Sequence, residues 1–467
     1  MTNKLIISYA FPPSSTTTGN AMAKKVLKNK KNVDILYASL SNLNYDVEFA
    51  KILDKYITKK YVIDIDFNTS WENIKTFTSM GMSQLSEIPE YNSMYSMCHF
   101  IHSHFLAIDY KLKHPDTFWS AEFSDPIIYN FEGKLNSSPI DDEEYINKMN
   151  KMIPEKFKKI NREDTLNYIC EYLTFIFADE IIFTNENQRK VMLESFSYQD
   201  ITTLVEKKSR IIEHNTLEEK YYNLYKSDYE IDDSYINFGY FGVIFGKRTL
   251  EDFVNAFDNL NEEYKDKFKL HIFTPTIILF EQLLSKDIMK NTKINGNMNY
   301  LEFLNICKKF DVLLVNDTET SKLYSVNPFL PSKLSDYEGS GTDVWAICEK
   351  DSIMDQKEIK YKSQLNDIDS SVNTLNTIFE DKLKVKIINN NFDKEKYLKY
   401  RIAELSQKIN ELVDVCESEF EKDKMYEIQI NELNEKIQNL EKENSEILNS
   451  NSWKITKNFR KIGKKFK

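Results

Sequence analysis

Short apolar runs alternating with helical patterns predict an α/β chain, with two parallel-sheet units in succession and a long C-terminal helix after them. Three observations carry this. A first series of runs, at 4–9, 33–38, 60–65, 118–123 and 180–184, ends before residue 213. A second series, at 236–242, 268–273, 311–315 and 343–348, follows a polar, Tyr-rich stretch at 214–235 that has no strand pattern. After Pro331 there is no proline, and between Gly341 and Gly463 no glycine, so nothing interrupts a helix over 394–448. The expected organisation is a first domain at 1–213, a linker at 214–235, a second domain at 236–385, a long helix at 386–452 and a tail at 453–467.

Composition bounds the function. A chain of 467 residues, 41% hydrophobic and 29% charged, is long enough for two globular cores. A net charge of -11 argues against nucleic acid as the main partner. The five cysteines (Cys98, Cys170, Cys307, Cys348, Cys416) are scattered and odd in number, as suits reduced thiols. The apolar run before Pro12 spans six residues, too few for a secretory signal or a membrane span, so a cytoplasmic chain is expected.

The long helix has heptad character. Ile402, Leu405, Ile409, Leu412 and Cys416 share a register with Ile430, Leu433, Ile437, Leu440, Asn444 and Ile447. Asn444 among apolar seam residues suits a parallel homodimer, the alternative being a helix packed back on the body. The tail, WKITKNFRKIGKKFK, has seven Lys/Arg, no acid, and a stripe of Ile455, Phe459, Ile462 and Phe466. That pattern suits a peripheral contact with an anionic membrane face, or simply a solubilising end.

Four segments can carry chemistry. In NPFLPSKLSDYEGSGTDVWAI (327–347), a helix begins after Pro331, and its N-terminus favours an anion, with Ser332 and Lys333 adding a hydroxyl and a cation. Asp336, one turn on, could accept bonds from a ribose diol; ordinary capping and a surface ion pair is the plainer reading. In FGYFGVIFGKRTLEDFVNAF (238–257), Gly242 and Gly246 permit close approach of a phosphate, and Arg248 could clamp a diphosphate, although a solvated loop cation fits equally. The loop SYAFPPSSTTTGNAMAK places Gly19 at the carboxyl edge of the first sheet, where open α/β sheets bind ligands. The fourth segment, 99–126, holds four of the six histidines and ends in Asp125 and Pro126. His99, His102 and His104 lack a fourth ligand or an H-E-x-x-H pattern, so no metal is expected, and structural or substrate-contact roles are favoured.

Taken together, the FPP…GN loop, SHFLAIDYKLKHPDTFWSAEFSDP, FADEIIFTNENQ, RIIEHNTL, YFGVIFGKR and PSKLSDYEGSG resemble a GT-B glycosyltransferase of the retaining type of glycosyltransferase family 4, over roughly residues 4–385. The resemblance implies two Rossmann-like domains with a nucleotide sugar, such as a UDP-sugar, as co-substrate and no metal cofactor. The donor diphosphate would bind the second domain, and a glycan, lipid-linked or protein acceptor the first. It assigns Arg248 to the diphosphate-binding lysine position, Asp336 to the ribose-holding acid and Gly19 to the loop facing the diphosphate. Asp125 falls near the active-site histidine position, Lys333 assists departure of the diphosphate, Gly242 and Ser332 line the donor site, and His104 is the candidate acceptor contact. The chain departs from the pattern at Pro328, where the first motif acid would stand, at Val243, where an arginine is usual, and at Glu338. Bacterial surface-glycan assembly is the leading expectation, protein O-glycosylation its enzymatic rival, and a catalytically inactive GT-B scaffold subunit the alternative of another class.

Overall fold

The computed structural model describes residues 4–86, 90–197, 199–243 and 250–391, the side chains as far as 383, and the isolated positions 435, 438, 439 and 442. Seven strands form the first sheet: β1 (Lys4–Ile7), β2 (Val33–Ala38), β3 (Ile57–Ile63), β4 (Ser93–Cys98), β5 (Phe118–Phe123), β6 (Glu180–Phe183) and β7 (Ser209–Ile211). Six form the second: β8 (Ile236–Phe241), β9 (Phe268–Phe273), β10 (Thr292–Asn295), β11 (Val312–Asn316), β12 (Asp343–Cys348) and β13 (Tyr361–Gln364). The orders are β3-β2-β1-β4-β5-β6-β7 and β10-β9-β8-β11-β12-β13, and every pairing is parallel.

Parallel pairing explains the sequence pattern, because strands covered by helices on both faces are apolar throughout. All six residues of β2 and of β8 are buried. In the first sheet the large anchor is Trp119, fully buried, whose indole N–H donates to Ser96 Oγ at 2.8 Å. In the second, Phe238 meets Phe257 and Phe379 on one face, while Phe241 stacks on Phe273 at 4.6 Å on the other. The order in which strands are added reverses between β1 and β4 and between β8 and β11, so the loops leaving β1 and β8 sit at the switch points where such sheets take ligands.

Residues 1–383 make one compact unit, and 384–467 a second. Within the first unit an apolar cluster crosses from one sheet domain to the other: Phe11, Met22 and Phe49 pack with Tyr221, Tyr222, Tyr300 and Leu304. The tyrosines of the expected linker therefore serve as core, and a short 3-10 turn at Glu219–Asn223 presents them. Asp46 divides its carboxylate across the same junction, capping the Val47–Leu53 helix through Phe49 N and accepting from Tyr300 N at 2.7 Å. On another side, Asn185 donates to the Pro328 carbonyl and Asn187 to the Asn327 carbonyl, both at 3.0 Å, while Ser325 meets Glu194. These bonds fasten the long loop after β11 to the first domain.

Four strands escape the sequence reading: β4, β7, β10 and β13. β4 is Ser- and Met-rich, and the other three have four residues or fewer and lie on sheet edges. The Ile368–Asn391 helix runs past the expected end of the second domain. The heptad seam, its dimer and the basic tail lie outside the described residues, apart from four isolated positions. No described helix is long and apolar enough to cross a membrane.

Gly239, at the middle of β8, has Phe310 where its Cβ would stand, with ring carbons at 2.6, 2.8 and 2.9 Å. Gly239→Ala is expected to lower stability by about 1–3 kcal/mol through overpacking, seen as a lower denaturant midpoint with an unchanged slope.

Candidate functional site

At the carboxyl end of β8 the chain turns through Gly242, whose φ of +156° is one that side chains rarely adopt. Lys333 fills the space beside it. A Cβ on Gly242 would lie 2.7 Å from the Lys333 ammonium, which donates to the Phe241 carbonyl at 2.6 Å and rests 4.6 Å from the Tyr240 ring centroid. Lys333 opens the Lys333–Ser340 helix, which ends at Gly341 in the left-handed conformation its φ of 73° requires. Ser332, half-buried at the N-cap, makes no side-chain cap bond. The positive end of the helix dipole and the ammonium thus meet where β8 ends, an arrangement suited to an anionic group, with the Leu334 N–H itself taken by the Pro331 carbonyl at 3.0 Å. Tyr337, in the same helix, accepts from Phe241 N at 3.3 Å and ties the helix to that strand.

The opposite flank of this helix meets the first domain. Lys24, from the Thr17–Asn29 helix, donates to Ser335 Oγ and Asp336 Oδ1, both at 2.8 Å. Tyr300 OH reaches the same Oδ1 at 2.6 Å, and Tyr222 OH donates to the Asp336 carbonyl at 2.8 Å. Tyr222 also occupies the place where a Cβ on Gly339 would stand. Asp336, expected to hold a ribose, is thus buried and engaged in an ion pair between domains. Lys25, next in sequence, turns the other way and pairs at 2.7 Å with Glu122, buried on β5. Burial pushes the Glu122 carboxyl up, against the opposing pull of Lys25.

Asp125 follows β5 and is one-third exposed, its Oδ2 3.4 Å from His99 Nδ1. Near it lies His214, whose imidazole burial pushes down to about 4, with Lys24 and Lys25 adding to the shift and Asp125 opposing it. His214, Glu213, Leu330, Pro331, Leu334 and Ser335 are among the residues lining a shallow cleft beside the start of the Lys333–Ser340 helix. Gly19 serves local packing: a Cβ there would come within 2.8 Å of Thr16 Oγ1 and 3.3 Å of Phe11 Cα. Arg248 and Gly246 lie outside the described residues, whereas Val243 stands 40% exposed just before them. Pro328, where the resemblance would put an acid, contributes its carbonyl to the Asn185 bond.

His104 corrects the sequence reading. It is fully buried, its Nδ1 2.9 Å from Ser96 Oγ and its ring edge-on to Trp119 and Phe123, so no acceptor can reach it. The neighbouring histidines also have separate surroundings. His102 stacks on Tyr9 at 3.7 Å and contacts Asn73, whereas His99 faces Asp125. The residues the sequence reading missed are Lys24, Lys25, Glu122, Tyr222 and Tyr300. A signal existed: Lys25 follows Ala21 and Met22 at helical spacing, on a face that the helix buries.

No family model matches the sequence, and no curated protein is similar to it. Solved structures share its fold. The trehalose-6-phosphate structure from E. coli bound with UDP-2-fluoro glucose aligns with a TM-score of 0.51 at 9% identity, covering 86% of this chain and 98% of that one. The UDP-forming α,α-trehalose-phosphate synthase from Burkholderia xenovorans, in complex with glucose-6-phosphate, aligns at 0.51 and 8% identity, covering 80% and 92%. The OtsA apo structure aligns at 0.51 and 9% identity, covering 80% and 91%. At these identities the likeness establishes architecture: two Rossmann-like domains in the GT-B arrangement.

Burial holds the His104 imidazole at about 3, against an ordinary value of 6.5. The unfolded chain therefore takes up a proton near pH 6.5 that the folded chain refuses, so this contribution to stability is full above pH 6.5 and is lost as pH falls toward 3. His104→Gln is expected to flatten the dependence of unfolding free energy on pH between 6 and 4 by about 1.4 kcal/mol per pH unit, measured by denaturant titration across that range.

Proposed function

We propose that this chain is a nucleotide-sugar-dependent glycosyltransferase of bacterial surface-glycan assembly, acting with retention at the sugar carbon. The observation that carries the reading is the convergence of Lys333, Gly242 and an uncapped helix N-terminus at the carboxyl end of β8. A diphosphate there would meet a cation and the positive end of a helix dipole. The shared architecture adds support, since one protein that has it was solved with UDP-2-fluoro glucose bound.

In the proposed reaction the bond from the sugar carbon to the diphosphate breaks, and an acceptor hydroxyl oxygen bonds to the same face of that carbon. The hydroxyl proton passes to the departing diphosphate. Lys333, the helix N-terminus and Arg248 bear the charge that grows on the leaving group, with Ser332 and Gly242 lining its seat. Asp125 stands at the end of β5 for the acceptor side. The basic tail is assigned a peripheral contact with an anionic membrane, where lipid-linked acceptors reside.

One observation favours a second reading, a GT-B scaffold without catalysis: the Asp336 carboxylate is already taken by Lys24 and Tyr300. Hydrolysis of donor by the purified chain separates the two, since a scaffold releases no nucleotide.

A panel of nucleotide sugars in thermal-shift measurements is expected to yield one that raises the melting temperature by mass action; none doing so would remove the donor reading. With that donor, Lys333→Ala is expected to reduce turnover roughly 100-fold or more, and an unchanged rate would strip Lys333 of its role. Full-length protein is expected to float with anionic liposomes, whereas a 1–452 truncation stays behind.

A further inference from the structure

The Lys333–Ser340 helix is held by groups from two domains. Lys333 fixes its start against β8, and one turn later Ser335 and Asp336 receive Lys24 from the first domain. The Lys24 and Asp336 side chains are only 2% and 9% exposed. Desolvating two such charges costs about what their attraction returns, so stability alone is weak grounds for the pair. Position is a better one. Tyr300 on the carboxylate and Tyr222 on the Asp336 carbonyl converge on the same helical turn, and Ser335 Oγ donates back to the Ser332 carbonyl at 2.8 Å. A chain of direct bonds therefore runs from Lys24 through Ser335 to the N-cap of the helix.

We propose that Lys24 is a positioning residue for the anion site: it never touches the donor, but it sets where Ser332 and Lys333 stand against Gly242. The inference rests on the diphosphate reading above. Under it, nucleotide affinity depends on a first-domain lysine, because that lysine holds the second-domain helix in register.

Lys25 supplies the control. It too is buried and ion-paired, but with Glu122 inside the first domain. Full-length protein is titrated calorimetrically with uridine, adenosine, guanosine and cytidine diphosphates, and thermal unfolding of each variant is recorded in parallel. The parent is expected to bind at least one of the four, and Lys24→Met to weaken that binding about 10-fold, the scale of coupling through residues that contact no ligand. Lys24→Arg, which keeps the charge, is expected to stay within about threefold of the parent, and Lys25→Met to lower the melting temperature while leaving affinity within about twofold. Should Lys24→Met not fold, Lys24→Gln retains a hydrogen-bond donor without the charge and takes its place. Affinity unchanged in Lys24→Met, or in Lys24→Gln where it takes its place, or equally weakened in Lys25→Met, overturns the inference alone. A parent that binds none of the four overturns the diphosphate reading and the inference with it.

Discussion

An ammonium group sealed from water has to be answered by an acid, and this molecule contains two such groups side by side. Lys24 and Lys25 leave the same helix about 100° apart, one looking across the domain junction to Asp336 and the other back to Glu122 on its own sheet. Neither acid could be removed without stranding a buried charge. The Thr17–Asn29 helix thus binds its sheet to a helix of the other domain, and the apolar cluster around Tyr221, Tyr222 and Tyr300 closes round the same junction. Once that is set, the start of the Lys333–Ser340 helix has little choice about where it meets β8.

Much of the architecture could be read in the chain, for a physical reason. Strands buried on both faces are continuous apolar runs, so β2, β5, β9 and β12 stand out at their true limits. β4 does not, because its Ser and Met residues weaken the pattern, and the short edge strands β7, β10 and β13 bury too little to announce themselves. The site was less legible. That Lys333 and Gly242 belong together follows from each lying at a helix start or strand end. The partner of Lys24 is 312 residues away, and no local pattern points to it. His104 misleads because histidines crowd the stretch around it. Its setting in HFLAI, on the inward face of the His102–Lys113 helix, marks it as core.

Two kinds of buried polarity therefore coexist in the first domain. Lys25 and Glu122 are answered charges, whereas Glu171, sealed on the Leu166–Phe177 helix with no cation paired to it among the described residues, has its carboxyl pushed well above the usual range by burial, against an opposing backbone contact at Ile127. Burial without a cation favours the neutral form of a carboxyl. Burial likewise pushes the His102 and His104 imidazoles down to about 3, which favours their neutral form.

The missing methyl of Gly242 constrains a second position. The volume that any side chain at 242 would claim is the volume the Lys333 ammonium occupies. A side chain at 242 would oblige the Lys333 ammonium to shift and would itself have to adopt a φ that L residues rarely take. The two positions are thus coupled through space, and a substitution at one changes what the other can accept.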